Sequence, residues 1–332
     1  MKAVQCLEYG DPKNLVVSDL PDPAPGPRDA IIAVEAVGLG YVDGLNVRGA
    51  YQVKRPLPFI PGSELAGTVI AVGSEVPQDL VGKRVMALAE RGALCEKAVV
   101  FAAQCTPLPE KFSSVAAAAA LVNYSTAIYG FETCGHLQPG ETVLVLGASG
   151  GVGMAAIDVA KGMGATVVAA ASSDGRLAAC VRAGADLVVN YSAPDWRKTL
   201  ESVLDGRKLT VIYDPVGGQW SETAFRCLAP GGRHLVVGFA GGEIPKIPLN
   251  LPLLKRASIV GVDWGGHVRA EAGAAAVIFQ RMIDLVNQGR INPQPAATFA
   301  LEETPALLTR MLNRENVGKP VITIGKAGQD AP

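Results

Sequence analysis

The residues that most directly indicate a chemical function are glycines between two short apolar runs. Gly147, Gly150 and Gly153 follow the apolar run 142–146 and stand around the start of a run with helical spacing, 154–163. Glycines in such a turn let the backbone approach a pyrophosphate, and the following helix N-terminus presents N–H groups and partial positive charge. With a second apolar run over 165–171, the pattern predicts a dinucleotide-binding turn. Its predicted residues are Gly147, Ser149, Gly150, Gly151, Val152 and Gly153.

The same letters fit a second motif. Residues 147–151 read G-x-S-x-G, the pattern of the nucleophile turn of α/β-hydrolases, which also follows a strand and opens a helix. A hydrolase needs a later acid and then a histidine, and His234 and His267 are available. Gly153 and the small and hydroxyl residues that end the second strand favour the nucleotide site, so the hydrolase is the disfavoured alternative.

The residues after the second strand predict which dinucleotide binds. An NAD site places Asp or Glu there to accept from the ribose hydroxyls. This chain has Ser172 and Ser173, followed by Arg176, and these residues suit a 2′-phosphate. Asp174 is a contrary feature that we interpret as a helix cap. The sequence therefore predicts NADPH, with Ser172 and Arg176 as ligands; the alternative for Arg176 is an ordinary solvated helix residue.

Composition narrows the class of protein. The 332 residues suggest two domains, and 49% apolar and 18% charged residues provide a large core. A net charge of −1 gives no reason to expect a nucleic-acid partner. The longest apolar run, 115–122, is too short for a membrane span of about 20 residues. Six cysteines without C-x-x-C pairs and an N-terminus without a signal-peptide pattern predict a cytoplasmic protein with reduced thiols.

The elements that must position the glycine turn follow from the hydrophobic pattern. Residues 1 to about 112 contain short strand candidates and no helix of good length. Ser113 or Ser114 is expected to cap an alanine-rich helix, and a second helix is expected over about 125–133. The glycine turn then opens an alternation of six predicted strands and intervening helices, the count of a full Rossmann domain. A helix over 272–287, a strand over 320–324 and a loose tail over 326–332 complete an α/β fold.

Several segments in order carry a family resemblance. They include GLGYVDGLNVRGAY (38–51), PGSELAGTVIAVG (61–73), LVLGASGGVG (144–153), VIYDPVGG (211–218) and VGKPVITI (317–324). The chain resembles the zinc-independent quinone oxidoreductases of the medium-chain dehydrogenase/reductase superfamily. The resemblance implies a GroES-like catalytic domain (1–122 and 266–332), a Rossmann NADPH domain (123–265) and a cleft between them. It also implies a homodimer, with the strand near 258–262 at the sheet edge.

The resemblance also assigns roles to residues outside the glycine turn. Asn123 and Thr126 are expected near the nicotinamide and its ribose, and Tyr191 near the adenine ribose. Gly238 and Phe239 are expected at the end of a strand that faces the cofactor. Asn316 and Lys319 are expected in a C-terminal segment that contacts the cofactor. Tyr51 matches a tyrosine near the substrate, and Asp43 matches the acid of an N-x-x-D segment. This chain has Gly40 where the family usually has that asparagine.

The sequence predicts no metal. Gly40 and Ser63 stand where zinc-dependent relatives have Cys and His, and the four-cysteine structural lobe is missing. Without a metal, hydride transfer from NADPH to a quinone or an activated C=C bond is favoured, because one or two hydrogen-bond donors suffice to stabilise the resulting enolate. Tyr51 is the predicted donor, with the proton coming from Tyr51 or water, and its alternative role is a packing or lid aromatic. Asp43 is expected to orient its loop.

Two other functions stay open. An enoyl-thioester reductase would use basic residues to meet a CoA phosphate, and the candidates are Lys54, Arg55, Lys246, Lys255 and Arg256. A non-catalytic NADPH-binding protein is the alternative of another class, since a fold does not fix a function.

Overall fold

The computed structural model describes residues 1–325, and the predicted loose tail over 326–332 lies outside them. The chain forms two compact units. Unit 1 contains Met1–Val122 and the chain from Pro293 onward, and unit 2 contains Asn123–Asn292. Within residues 1–325 no helix has the length and apolar character needed to cross a bilayer.

Fifteen strands are present in the described chain. In chain order they are β1 Lys2–Gln5, β2 Val16–Asp19, β3 Asp29–Gly38, β4 Glu64–Val72, β5 Arg84–Leu88, β6 Lys97–Phe101, β7 Thr106–Pro107, β8 Thr142–Val145, β9 Thr166–Ala171, β10 Leu187–Asn190, β11 Leu209–Asp214, β12 Arg233–Val236, β13 Ser258–Gly261, β14 Ala297–Ala300 and β15 Pro320–Thr323.

Ten α-helices accompany these strands in residues 1–325. They are α1 Tyr41–Val47, α2 Ser114–Ile128, α3 Gly151–Gly162, α4 Asp174–Arg182, α5 Trp196–Leu204, α6 Gln219–Cys227, α7 Asn250–Lys255, α8 Trp264–Ala270, α9 Ala274–Asn287 and α10 Thr304–Leu312.

Unit 2 is built on a six-stranded parallel sheet. Its strand order is β10-β9-β8-β11-β12-β13, and every neighbouring pair is parallel. All four residues of β8 are buried, as expected for a central strand covered on both faces. The order reverses between β8 and β11, which is where doubly wound sheets bind ligands. The predicted Rossmann domain with six strands is confirmed.

Unit 1 is the predicted β-rich domain. Its main sheet has the order β14-β15-β3-β4-β5-β7, and β6 pairs with β3. The ten-residue strand β3 is the spine of this sheet, because β4, β6 and β15 all pair with it. The strand β6 and the helix α1 were not predicted from the sequence. These elements are five and seven residues long, and an α1 that contains Gly44 gives little helical signal.

The alanine-rich helix differs in length from its prediction. The Ala116 N–H donates to Ser113 Oγ at 3.1 Å, so the predicted serine cap is present. The separate helix predicted over about 125–133 is wrong, because α2 continues without a break to Ile128 and then passes into a π-helical segment, Tyr129–Cys134. No Gly or Pro stands between Ser114 and Tyr129 to end the helix.

Two further details differ from expectation. Asp174 is the first residue of α4 rather than its cap, which is Ser173. The second division of the chain, at Asn292, comes later than the predicted one at 265. Helices α8 and α9 belong to unit 2, where Phe279 of α9 packs against Trp264 and Arg281 forms an ion pair with Glu132.

A half-buried ion pair fixes one end of the unit 2 sheet. Arg233, the first residue of β12, donates to both carboxylate oxygens of Glu141, the residue before β8, and to the Gly135 carbonyl. Each side chain of the pair is 18% exposed. Burial acts to raise the pKa of Glu141, but the Arg233 guanidinium and the Gln138 N–H outweigh it and hold that pKa below its ordinary value of 4.5.

We expect Glu141→Gln to lower the stability of unit 2 at pH 7 by about 1.5–3 kcal/mol, the size of a hydrogen bond to a charged group. A lowered folded-state pKa contributes stability above the unfolded pKa, and that stability is lost as the pH falls through the folded value. The gap between wild type and variant in thermal melts should therefore shrink below about pH 4.5. Glu222→Gln is the control, because the side chains of the Glu222–Arg226 pair are about twice as exposed, at 36% and 40%, and the pair should contribute about 0.5 kcal/mol or less to stability. Equal effects of the two substitutions would contradict this account.

Candidate cofactor and active site

The glycine turn lies directly after the buried strand β8. Main-chain bonds fix it to both neighbouring strands, since Leu146 donates to the Tyr213 carbonyl and Ala148 donates to the Ala170 carbonyl. Gly147 has φ +57°, a conformation that L residues rarely adopt. Gly150 is the N-cap residue of α3. The turn therefore ends at the N-terminus of a helix, as the sequence predicts.

The three spaced glycines are needed for different reasons. A Cβ at Gly153 would lie 2.5 Å from the Gly147 carbonyl oxygen and 2.6 Å from Ala148 Cα, so only glycine lets α3 pack this close to the turn. A Cβ at Gly147 would lie 2.5 Å from Val216 Cγ2. A Cβ at Gly150 would meet only the Gly147 carbonyl oxygen, at 3.4 Å. Protein packing does not require glycine at position 150, and the open space there fits an approaching pyrophosphate.

Arg176 reaches the glycine turn. Its Nη1 donates to Ser149 Oγ at 3.2 Å, and Ser149 is 3% exposed. The arginine is half-buried, and Ser172 at the end of β9 is exposed. This contact places the Arg176 guanidinium beside the glycine turn. The sequence predicts that both Arg176 and Ser149 bind the cofactor.

The hydrolase alternative has no geometry to support it. Within residues 1–325 the Ser149 hydroxyl has Arg176 as its hydrogen-bond partner, and no histidine bonds to it. His234 is 1% exposed and bonds instead to Asp214. His267 stacks on Tyr129, with ring centroids 4.7 Å apart, and pairs with Glu271.

An aromatic pair borders the end of β10. The Tyr191 ring lies 4.9 Å from the Trp220 ring, centroid to centroid, and the Tyr191 N–H donates to the Ala171 carbonyl at the end of β9. Tyr191 is half-buried. Trp220 is a neighbour that the sequence analysis did not identify, because it comes from α6, far from the β9–β10 segment in the chain.

Other predicted cofactor residues of unit 2 lie on α2 and at the end of β12. Asn123 and Thr126 are 5% and 9% exposed. Gly238 and Phe239 follow β12, and Phe239 is 42% exposed. The structure brings Gly238 next to the end of β11, where its N–H donates to the Asp214 carbonyl at 3.3 Å.

Unit 1 holds a buried charged pair. The Lys319 ammonium forms an ion pair with Glu64 Oε1, and these residues are 5% and 1% exposed. Glu64 Oε2 accepts from the Val122 N–H at 2.7 Å. Burial raises the pKa of the Glu64 carboxyl, Lys319 opposes that effect, and the Asp43 carboxylate adds to it. An ammonium has three donors, and Glu64 is the hydrogen-bond partner found for it in the described chain.

Asp43 lies near this pair and orients two segments. Its Oδ2 accepts from the Gly40 N–H at 2.8 Å, and its Oδ1 accepts from Ser63 Oγ at 2.6 Å. A Cβ at Gly40 would lie 3.5 Å from Asp43 Oδ2 and 3.7 Å from Lys319 Nζ, which are ordinary contact distances. The structure thus brings Asp43 and Lys319 together. Glu64, which links them electrostatically, was missed because a buried acid within a strand gives no sequence signal.

Tyr51 and Asn316 complete the predicted residues of unit 1. Both are half-buried, Tyr51 in the segment after α1 and Asn316 in the segment between α10 and β15. For Tyr51, no hydrogen bond to another described residue is found in 1–325.

The described residues do not form a metal site. Nowhere in 1–325 do three His, Cys, Asp or Glu side chains lie close enough to hold a metal ion. Ser63 is bonded to Asp43, and Gly40 offers no side chain. A zinc ion does not fit this donor set, and no step of the proposed reaction uses one.

Comparison with known proteins places these features in a family. Residues 26–110 match the family model "Alcohol dehydrogenase GroES-like domain", and residues 151–281 match the model "Zinc-binding dehydrogenase". The description of the second model contrasts with the donor set found in this chain.

Whole-length relatives and structures agree with these matches. The mouse quinone oxidoreductase-like protein 2 is 34% identical, with 97% of this chain and 92% of the relative covered. A Pseudomonas aeruginosa quinone oxidoreductase is 31% identical, with 97% and 99% covered. A mycobacterial structure in complex with NADPH has a TM-score of 0.88 and 27% identity, covering 98% and 100%. The CurK enoyl reductase has a TM-score of 0.86 and 26% identity, covering 98% and 99%. This chain belongs to the medium-chain dehydrogenase/reductase superfamily, as a quinone oxidoreductase-like protein.

Proposed function

We propose that this protein transfers a hydride from NADPH to a quinone or to the activated C=C bond of an enone or alkenal. That it is an NADPH-binding oxidoreductase follows from its family and from its likeness to an NADPH-bound structure. The observation that carries the cofactor site of this proposal is the glycine turn, with its open position at Gly150 and the Arg176 guanidinium beside Ser149. The proposed substrate class is argued from the side chains of unit 1 that could act on it.

The turn and Arg176 are proposed to divide the phosphates of the cofactor between them. The α3 N-terminus offers N–H groups to the pyrophosphate. Arg176 and the exposed Ser172 are proposed to offer donors to the 2′-phosphate, and Asp174 lies in the first turn of α4. Tyr191, Asn123, Thr126, Gly238 and Phe239 keep their predicted roles along the rest of the cofactor.

Unit 1 is proposed to supply the groups that act on the substrate. Bound NADPH supplies the hydride, and negative charge then builds on the substrate oxygen. Tyr51, whose hydroxyl has no protein partner in the described chain, is proposed to donate to that oxygen and to pass on a proton. Asp43 has both carboxylate oxygens occupied, so its proposed role is to position the Gly40 and Ser63 segments. Lys319 and Asn316 keep their proposed cofactor role.

An enoyl thioester is the second candidate substrate. Lys54 lies over the Tyr9 ring and Arg55 over the Phe59 ring, at 5.9 and 6.0 Å from the centroids. Two cations held on one exposed loop offer an anchor for a phosphate-bearing thioester. Likeness to an enoyl reductase structure adds support. A non-catalytic NADPH-binding protein is the remaining alternative.

A homodimer formed through the edge of the unit 2 sheet is part of the proposal. Strand β13 is the edge strand, and its residues are largely exposed. Large apolar side chains are exposed in β13 and in the segment before it: Ile259 in the strand, and Ile244, Leu249, Leu253 and Leu254 before it. An unpaired edge next to exposed leucines is the kind of surface that a second copy covers.

The substrate proposal is tested by NADPH oxidation with quinones, alkenals and crotonyl-CoA, before and after treatment with a chelator. We expect turnover with a quinone or an alkenal that the chelator leaves unchanged. Tyr51→Phe should lower kcat by about 10²–10⁴-fold, the contribution of general acid catalysis, with little change in NADPH affinity. Turnover of the thioester alone would favour the second candidate, and no turnover with NADPH bound would favour the non-catalytic alternative.

The cofactor site is tested by two matched substitutions. Gly150→Ala should leave the melting temperature almost unchanged and weaken NADPH binding about tenfold or more, because the added methyl occupies the space for the pyrophosphate. Gly153→Ala should instead destabilise the protein by about 1–3 kcal/mol, because its methyl meets backbone atoms. Fluorescence titration and thermal melts measure both. Normal NADPH affinity in Gly150→Ala would rule out the proposed turn.

The phosphate assignment is tested at Arg176. Arg176→Ala should weaken NADPH binding by about ten- to a hundred-fold, equivalent to about 1.5–3 kcal/mol, and leave NADH binding nearly unchanged. Arg182→Ala is the control, since Arg182 is exposed at the other end of α4. The measurement is kcat/KM for each cofactor with one quinone. Equal losses for NADPH and NADH in Arg176→Ala would show that this arginine does not read the 2′-phosphate.

A further inference from the structure

A buried carboxylate at the end of β11 is not used by the proposed reaction. Asp214 is 2% exposed, and its Oδ1 accepts from the backbone N–H groups of Val216 at 2.9 Å and Gly217 at 2.8 Å. Its Oδ2 accepts from Ser221 Oγ at 2.5 Å and from His234 Nε2 at 2.9 Å. A carboxylate has about four acceptor positions, so Asp214 is fully occupied by protein donors.

The partners of Asp214 define its protonation state. Burial acts to raise the pKa of Asp214, but the bonds from His234, Gly217 and Ser221 hold it below its ordinary value. Because an ionised carboxylate only accepts, His234 Nε2 carries the proton of this bond. His234 Nδ1 has no partner within the described residues. Ser221 and His234 are 0% and 1% exposed, so these groups do not meet a substrate and do not form a hydrolytic triad.

The carboxylate holds a turn that packs on the glycine turn. Gly217 and Gly218 have φ +71° and +65°, and residues 215–218 leave β11 in a turn that is neither helix nor strand. The Val216 and Gly217 N–H groups are bonded to Asp214 Oδ1, and the Gly218 N–H donates to the Glu243 carbonyl at 2.9 Å. Val216 of this turn is the residue whose Cγ2 fills the space beside Gly147.

A second turn is bonded to the first. The Ala240 N–H donates to the Pro215 carbonyl at 3.0 Å, and the Gly241 N–H donates to the Val216 carbonyl at 2.7 Å. The predicted cofactor residues Gly238 and Phe239 lie in this second turn, after β12. The position of both residues thus depends on the turn that Asp214 holds.

These two turns lie at the carboxyl ends of β11 and β12. In a doubly wound sheet those strands belong to the second mononucleotide half, beyond the reversal of strand order. We propose that Asp214, bonded to Ser221 and His234, is the positioning residue for the nicotinamide half of NADPH. This inference rests on the proposed cofactor site, and it adds a residue that touches neither cofactor nor substrate.

The test compares two ligands that share only the adenine half. NADPH and adenosine 2′,5′-bisphosphate are titrated calorimetrically into wild type, Asp214→Ala and Asp214→Asn. We expect Asp214→Ala to weaken NADPH binding about tenfold or more, the effect of losing hydrogen bonds to a charged group, while bisphosphate binding stays close to wild type. Asp214→Asn should recover most of the NADPH affinity, because its amide oxygen still accepts from Val216 and Gly217.

Controls separate positioning from loss of stability. Met282→Ala removes a fully buried side chain of α9, a helix that contributes no residue to either turn, and should lower the melting temperature without changing NADPH affinity below that temperature. If Asp214→Ala does not fold, Ser221→Ala carries the same comparison. Equal weakening of both ligands, or an Asp214→Ala protein that binds NADPH as wild type does, would overturn the inference. Failure of the wild type to bind the bisphosphate would overturn the cofactor site as well.

Discussion

The close approach of helix α3 to the end of β8 is the constraint on which the cofactor site depends. A Cβ at Gly153 would lie 2.5 Å from the Gly147 carbonyl oxygen, well inside van der Waals contact. Without a side chain there, the helix N-terminus comes to the carboxyl end of a fully buried strand. The N–H groups of that helix end are then held by the sheet itself, and a phosphate does not have to order a mobile loop to bind them.

Strand order decides which loops surround that turn. Because β8 has β9 on one side and β11 on the other, the loops after all three strands meet at the reversal point. The β9 side brings Arg176 to Ser149. The β11 side brings Val216 to Gly147, held by the Asp214 carboxylate. One glycine turn thus connects the part of unit 2 proposed to read the 2′-phosphate with the part proposed to hold the nicotinamide.

Buried charge is treated differently in the two units. In unit 2, Asp214 is saturated by four donors, which makes it a fixed structural anchor. In unit 1, the Lys319 ammonium is paired with Glu64 and retains donor capacity. Burying an ion pair costs desolvation energy that a good pair only partly recovers, and removing one partner costs more. The cofactor role proposed for Lys319 uses that remaining donor capacity.

Local patterns in the sequence determined the elements of this protein, and long-range contacts decided how their side chains meet. The glycine turn, the six parallel strands, the Ser113 cap and the β-rich first unit were predictable, because each depends on spacing within a few residues. The residues after β9 and the family resemblance both predicted NADPH, and the comparisons confirm the family and the cofactor. The continuity of helix α2 was readable from the sequence, because no Gly or Pro stands between Ser114 and Tyr129 and alanine favours helix. The short strand β6 was not predictable, because tertiary packing outweighs weak local preferences in short segments. The contacts Arg176–Ser149, Asp214–His234 and Lys319–Glu64 join residues 27, 20 and 255 positions apart. Only the folded chain pairs them, since burial requires each polar group to find whichever partner the topology brings within reach.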